Sequence, residues 1–416
     1  MALKIYPNGL RLSVVPKTGA KLISVDMHIT SGTQSEKNYE SGISAFLARI
    51  LLKGTKKHPS QMELVNYAKN NGIILKSDST SESVIVSVAT VEENVDKAID
   101  LLCEIAFEST FSVSAGDEVR NSLLFDIAKL QENPSYVLER MINQALFYRT
   151  GLANPKFGTN TTIERMKAED AKEYLERVLT PKNTIISVVG DVDADAIYEK
   201  VMQTFYNKFI EGGEYKKLKY VSFVEDYVGG ERVKNKKLNQ SRINFAFPCV
   251  SYKASNKYAL EIVAPILMRR IRENLNGLKY FHNETVSFDL YANNGKFVIE
   301  TMVDHEHATE YLDSIISGLK TILQTGVAVS DFENEKNEYI IKFLQRNETV
   351  SDISKYAIRE VAVNKQSYSV ASELMKVELI TINDVNKIIK ETINFSKMFI
   401  AYLGIPIEIN VSDYID

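Results

Sequence analysis

The chain repeats itself at an offset of 214 residues, and this repeat constrains its fold more than any other feature of the sequence. The matching positions are Leu130–Asn133 with Leu344–Asn347, Asp170 with Asp384, and Gly190 with Gly404. Three matches at a single offset indicate an internal duplication. The period is far longer than the roughly 20 to 50 residues of a solenoid unit, so it predicts two similar domains.

Each half carries strand-like runs followed by helical ones in the same order. Apolar and polar residues alternate at 83–88, which is typical of a strand, and apolar residues recur at helical spacing at 41–52. The predicted helices are 41–52, 92–107, 114–131, 135–148 and 168–178, and the main strands are 10–15, 22–30, 83–88 and 184–189. This order predicts an α+β protein of two homologous domains, each a mostly antiparallel sheet with helices packed on one face.

A glycine-rich, charged stretch lies between the two halves. Gly212 and Gly213 are flanked by acidic residues and followed by lysines, a composition typical of a linker. We therefore predict an N-terminal domain at 1–206, a linker at 207–236 and a C-terminal domain at 237–416. The basic run that ends the linker is expected on a solvated loop or strand edge.

Composition excludes several classes of function. The chain has 416 residues, a net charge of −4 and 44% hydrophobic residues, so general attraction to nucleic acid or anionic membrane is not expected. It has no stretch of about 18 consecutive apolar residues, and its first residues resemble no export signal. With only two cysteines, this predicts a reducing compartment, the cytoplasm by default.

The stretch from Gly42 to Thr55 carries a spaced pattern of glycine, phenylalanine and Lys-Gly-Thr. It resembles the zinc-site helix of the inverted zinc metallopeptidases, the family of pitrilysin and mitochondrial processing peptidase, whose pattern is Gly-x-x-His-Phe-x-Glu-His-x-x-Phe-Lys-Gly-Thr. The shared frame is Gly42, Phe46, Lys53, Gly54 and Thr55. Further likeness lies in residues 2–15, 157–163 and 180–193, so the resemblance implies a processing-peptidase-like fold.

The chemical residues of that pattern are absent. Ala45 and Arg49 stand where the family has its two metal-binding histidines, and Ala48 stands where it has the general base. Alanine offers no donor atom, and arginine keeps a positive charge that repels a divalent cation. The resemblance places the third ligand at Asp126, which alone cannot hold zinc and otherwise reads as a helix-surface carboxylate. We therefore expect no metal and no catalytic residue in this chain.

Other donors do not form a second metal site in the sequence. His305 and His307 are the only close histidine pair, and at i, i+2 they do not share a helix face. Cys103 and Cys249 belong to no Cys-x-x-Cys motif, so both are interpreted as core thiols.

A second family-like segment lies in the C-terminal half. Ile271–Tyr280 resembles the family's Leu-Arg-Glu-x-x-Gly-x-x-Tyr segment, with one extra residue in the spacing. The resemblance implies that Arg272 and Tyr280 reach substrate bound at an opposing zinc, the guanidinium holding a carbonyl and the phenol an oxyanion. In the alternative interpretation, Arg269, Arg270 and Arg272 crowd a helix end and Tyr280 is an ordinary strand aromatic.

Three functions compete. The first is a noncatalytic subunit of a heterodimeric peptidase, whose homologous partner bears an intact His-x-x-Glu-His motif with zinc and cleaves an unfolded peptide added as an edge strand. The second is a catalytically inactive scaffold or peptide-binding homodimer of the same fold. The third, an enzyme that uses other residues, is the weakest because no triad can be proposed from the sequence.

Overall fold

The architecture comes from a computed structural model, which describes residues 2–209 and 227–415. In chain order the strands are β1 (Ala2–Ile5), β2 (Arg11–Pro16), β3 (Ile23–Ile29), β4 (Ile74–Ser79), β5 (Val84–Thr90), β6 (Thr184–Gly190), β7 (Gly230–Asn235), β8 (Ser241–Cys249), β9 (His282–Leu290), β10 (Gly295–Val303) and β11 (Phe399–Gly404). The helices are α1 (Ile43–Ile50), α2 (Gln61–Asn70), α3 (Val95–Glu108), α4 (Val113–Glu132), α5 (Pro134–Leu146), α6 (Asn160–Arg165), α7 (Ala168–Val178), α8 (Ala194–Val201), α9 (Lys257–Leu275), α10 (Ala308–Thr325), α11 (Val329–Gln345), α12 (Val350–Val363), α13 (Val370–Glu378) and α14 (Ile382–Thr392).

The strands form two mostly antiparallel sheets of the same topology. The first has the order β1-β2-β6-β3-β5-β4, and the second has the order β7-β11-β8-β10-β9. Apart from β1, each strand of the first sheet has a counterpart in the second, and β2–β6 and β7–β11 are both parallel pairs. The predicted α+β class and the pair of similar domains are confirmed.

The helices repeat in the same way. α7 has the predicted bounds, and Asp170 at its third position accepts a hydrogen bond from the Lys167 amide N–H. Asp384 plays the same part in α14, where it accepts from the Thr381 amide N–H. Such N-terminal caps satisfy amide groups that the helix itself leaves unpaired, which explains why both aspartates stand at the 214-residue offset.

The central strand β6 is apolar along its whole length because both of its faces are covered. Ile186 and Val188 pack into the main core of the first unit together with residues of α1 and α3. Ile185 and Val189 point to the opposite face and pack against α12. A strand covered on both faces reads as a continuous hydrophobic run rather than an alternating one. The structure thus adds a helix on the second face of the sheet.

The compact units of the structure are not the continuous ranges predicted from the sequence. The described residues divide into a first unit within 1–129, 150–220 and 345–370, and a second unit within 130–149, 221–344 and 371–416. The segment with α12 therefore belongs to the first unit, and the segment with α5 belongs to the second, where α5 packs on β8 and β11. The predicted ranges 1–206 and 237–416 miss this exchange because an amphipathic helix does not specify which sheet it covers.

The predicted linker, 207–236, lies mostly outside the described residues. Its last part forms β7, an edge strand that pairs only with β11 among the described strands. Lys234 is exposed there, as expected for a basic run on a strand edge. Within the described part of the chain, no helix is long and apolar enough to cross a membrane.

Candidate functional site

The degenerate zinc helix is α1, and it is buried in the first unit. Phe46 and Leu47 are fully buried, and Ala45 and Ala48 are each only 2% exposed. The Ser77 hydroxyl of β4 donates a hydrogen bond to the Ala48 carbonyl oxygen at 2.5 Å. Methyl groups therefore occupy the two positions where the family pattern has a ligand and the general base.

At the other histidine position, Arg49 places its own positively charged guanidinium. Its Nη2 lies 2.5 Å from Asp126 Oδ2, and its Nη1 donates to the Ser122 hydroxyl at 2.7 Å. The guanidinium carbon also lies 5.2 Å from the centre of the Phe157 ring, within cation–π range. Ser122 and Asp126 are one turn apart on α4, so one helix face supplies both acceptors.

This geometry does not fit a zinc ion. Of the four matched positions only Asp126 has a donor atom, and the Arg49 guanidinium already neutralises it. Among the described residues there is no group of three or more His, Cys, Asp or Glu side chains that could hold a metal. The sequence interpretation of Asp126 as a plain surface carboxylate misses its ion pair. The ion pair could have been predicted from the sequence, because Arg49 and Asp126 carry opposite charges at two positions that the family pattern brings together.

The retained frame residues have structural reasons to be present. Gly42 has φ of +94°, and a Cβ there would lie 2.8 Å from the backbone of Gly158. The buried Glu36 carboxylate accepts hydrogen bonds from the Gly42 and Ser44 amides at 2.8 and 2.9 Å, which caps the start of α1. A Cβ on Gly54 would lie 2.4 Å from the Pro59 carbonyl oxygen. The two glycines of the frame therefore serve the start of α1 and the loop that follows it, whether or not metal chemistry is present.

In the second unit, Arg272 stands on the last turn of α9 and extends toward β9. Its side chain is 56% exposed, and its Nε lies 3.8 Å from Glu284 Oε2. Its Nη2 donates to the Glu284 carbonyl oxygen at 3.0 Å. The neighbouring Arg269 and Arg270 instead form ion pairs with the acidic face of α11. The three arginines therefore do not share one role, and Arg272 is the one joined to β9.

Tyr280 follows the turn at Gly277, where φ is +116°. We call Arg272, Tyr280, His282, Glu284 and His307 the Arg272 cluster. Its ring stacks on His307, with centroids 4.0 Å apart and planes at 4°, and meets the His282 ring edge-on at 6.2 Å. Its hydroxyl is covered and has no hydrogen-bond partner among the described residues. Burial raises the pKa of this phenol, as does the nearby Glu310 carboxylate. The segment with the extra residue in its spacing contains this turn.

Glu284 connects the two predicted residues, and the sequence prediction missed it. It is 3% exposed, and its Oε1 accepts a hydrogen bond from the Tyr311 hydroxyl at 2.7 Å and lies 2.7 Å from His282 Nδ1. Burial, followed by this bond to Glu284, raises the pKa of Tyr311. Glu284 shares the inward face of β9 with Val286 and Leu290. The sequence could have indicated a buried, partnered Glu284, because a carboxylate stands there at an inward position of an alternating strand.

Of the other sequence candidates, His305 and Cys103 lie apart from this cluster, whereas His307 is part of it. His305 lies 2.8 Å from the Ser241 hydroxyl and 2.7 Å from the Leu238 carbonyl oxygen, whereas His307 stacks on Tyr280. The two histidines thus make separate contacts. Cys103 is buried, and burial raises the pKa of its thiol to about 11.

Comparison with known proteins gives a consistent likeness along the chain. The profile described as insulinase, peptidase family M16, matches residues 14–160, and the profile described as the M16 inactive domain matches residues 165–339. The chain is 21% identical to the mitochondrial-processing peptidase subunit beta of Dictyostelium discoideum, over 98% of this chain and 89% of that protein. It is 22% identical to the non-peptidase homolog YmxG of Helicobacter pylori, over 77% of this chain and 74% of that protein.

A solved structure shows the same fold. The M16 inactive domain protein from Pseudomonas fluorescens superimposes with a TM-score of 0.88 at 14% identity, and the match covers 98% of each chain. The described sheets and helices therefore form a known architecture over nearly the full length.

Proposed function

The chain belongs to the inverted zinc metallopeptidase family, peptidase family M16, as a noncatalytic member, and we propose that it is one subunit of a two-chain peptidase. In this proposal a homologous partner with an intact His-x-x-Glu-His motif supplies the zinc and the general base. This chain supplies part of the chamber wall and the substrate-positioning groups Arg272 and Tyr280. The substrate is an unfolded peptide.

The observation that carries the proposal is the contrast between the two clusters. The metal site is filled by alanines and closed by the Arg49–Asp126 ion pair. The Arg272 cluster, by contrast, holds a guanidinium that is more than half exposed next to a phenol with no hydrogen-bond partner among the described residues. The first cluster offers no groups for metal chemistry, whereas the second presents a guanidinium and a phenol, and this contrast supports a division of labour between two chains.

Each group has a definite task in this mechanism. A zinc ion held by the partner's His-x-x-Glu-His motif would supply a bound water of lowered pKa as the nucleophile. The Arg272 guanidinium donates to a backbone carbonyl oxygen of the substrate and fixes its register. The Tyr280 hydroxyl, once uncovered by substrate, donates to the oxyanion that develops during the attack.

Mixing the purified chain with a zinc-bearing homologue from the same cell tests the proposal. The mixture should cleave an unfolded peptide in a zinc-dependent way that neither chain matches alone. Arg272→Ala should reduce kcat/KM by about tenfold to a hundredfold, the effect of losing one or two charge-assisted hydrogen bonds.

The matched control is Arg270→Ala, which removes the same charge from the same helix but from a residue paired with Glu273 and Asp331. It should leave the activity unchanged. A mixture with no added activity, or one indifferent to Arg272→Ala, would refute the proposed role.

The alternative is an inactive scaffold or homodimer of the same fold. The name of the Helicobacter pylori relative, a non-peptidase homolog, favours it. Light scattering distinguishes the homodimer from the heterodimer, because the scaffold should form a stable homodimer alone. Adding a catalytic homologue to it should produce no further peptidase activity. The cytoplasmic location expected from the sequence stays a prediction.

A further inference from the structure

We propose that Glu284 is a positioning residue that aims Arg272 at a backbone carbonyl of the substrate; this inference rests on the proposed function. Arg272 and Tyr280 are the two residues that the family resemblance implicates in substrate binding. The structure joins both to one buried carboxylate through a short series of contacts.

The carboxylate of Glu284 is itself held in place. Its Oε1 accepts a hydrogen bond from the hydroxyl of Tyr311 on α10 at 2.7 Å and lies 2.7 Å from His282 Nδ1 on its own strand. Because these two groups occupy Oε1, the other oxygen, Oε2, is directed to the Arg272 guanidinium. The side chain is 3% exposed, so its rotamers are restricted by packing as well as by hydrogen bonds.

Arg272 is consequently held by one hydrogen bond and one longer ion-pair contact, and a third part of its guanidinium is left open. Its Nη2 is bound to the Glu284 carbonyl oxygen and its Nε faces the carboxylate, whereas Nη1 has no hydrogen-bond partner among the described residues. A flexible arginine loses substantial rotamer freedom when it binds a ligand, and prior restraint by Glu284 removes part of that loss.

The pairing also selects the chemistry of the ligand. The Glu284 charge offsets the Arg272 charge, so the pair attracts a second carboxylate weakly but still offers N–H donors to a neutral oxygen. An internal peptide carbonyl fits this site better than a free C-terminal carboxylate. The substrate class is therefore an extended peptide engaged along its backbone.

The experiment measures steady-state kinetics of the two-chain mixture on a peptide blocked at both ends. Glu284→Gln preserves the shape and can still accept from Tyr311, but it places an amide group opposite Arg272. KM should rise about tenfold, equivalent to ~1.4 kcal/mol, with kcat nearly unchanged. The matched control is Glu335→Gln, which alters a buried glutamate that faces Arg269 at 3.2 Å and should leave KM unchanged.

A double-mutant cycle separates positioning from a structural role. In the Arg272→Ala background, Glu284→Gln should have no further effect on KM, because the group that it aims is gone. An equal rise in both backgrounds would overturn the inference, and so would an unchanged KM in the Glu284→Gln single variant. If Arg272→Ala itself changes nothing, the proposed function fails instead. Should Glu284→Gln not fold, Tyr311→Phe takes its place with an expected rise of about threefold, and no rise overturns the inference.

Discussion

At the scale of single residues, two positions that match the family's zinc ligands hold an ion pair of modest energetic weight. The Arg49 and Asp126 side chains are 28% and 34% exposed, and pairs of this kind contribute about 0–1 kcal/mol. The pair therefore does not hold the fold together. Its main effect is chemical, because it supplies a fixed positive charge and occupies the one remaining carboxylate.

The buried capping residue Glu36 should make the stability of the fold depend on pH. Burial raises the pKa of its carboxyl to about 7, against the hydrogen bonds from Gly42 and Ser44, which lower it. Because the folded pKa lies above the unfolded one, the stabilisation is full below about pH 4.5 and is lost as pH rises through about 7. Glu36→Gln should remove this pH dependence, which amounts in the wild type to a change on the order of 2–4 kcal/mol in the free energy of unfolding between the two pH limits.

Urea denaturation at pH 5 and pH 8 measures this slope. The control is Glu63→Gln, an exposed acid that caps the start of α2 in the same manner. Identical pH dependence in the wild type and Glu36→Gln would contradict the assigned pKa.

At the scale of elements, the exchanged helices are held to their sheets by buried polar groups as well as by apolar packing. The Ser354 hydroxyl of α12 donates to Asp26 of β3 at 2.5 Å, and the buried Arg11 of β2 donates to the Val361 carbonyl oxygen. Burial raises the pKa of Asp26 and lowers that of Arg11. In the second unit, the buried Lys296 of β10 bonds to Glu139 and Asn143 of α5.

Removing one of these bonds should loosen α12. Ser354→Ala leaves the buried Asp26 carboxyl without one of its donors, so we expect a loss of about 1–3 kcal/mol in the free energy of unfolding. Hydrogen exchange should become faster within residues 350–363. The control Ser351→Ala changes an exposed serine in the first turn of the same helix, and equal losses in both variants would contradict the assignment.

The sequence predicted what local patterns determine and missed what depends on tertiary partners. The bounds of α7 followed from helical periodicity, the strand β6 followed from its continuous apolar run, and the two sheets followed from the repeat. The destination of α12 did not follow, because its apolar stripe would suit either sheet. The Arg49–Asp126 pair and the buried Glu284 likewise depend on residues distant in sequence, although charge at positions expected to face inward gave a partial signal.

At the scale of the whole molecule, the two units are interlaced along the chain, since each takes one helix from the other half of the sequence. Neither half is then self-sufficient. We predict that a fragment of residues 1–226 will be poorly soluble alone, because without α12 it exposes Val15, Ile185 and Val189 on one face of its sheet.

Co-expression with residues 227–416 should restore a soluble complex that copurifies. Fusing residues 345–370 to the first fragment through a flexible linker is the matched control and should improve its solubility. A cooperative thermal transition of the first fragment alone, at the temperature of the intact chain, would contradict the prediction.

The interlacing also sets the order in which the molecule can be completed during translation. The first sheet is fully synthesised once β6 has left the ribosome, yet its second face stays uncovered until α12 has emerged, well over a hundred residues later. The strand β11, which lies between β7 and β8, is among the last elements made. The nascent chain therefore carries an uncovered apolar sheet face for much of its synthesis, which makes it a substrate for chaperones that bind extended hydrophobic surface.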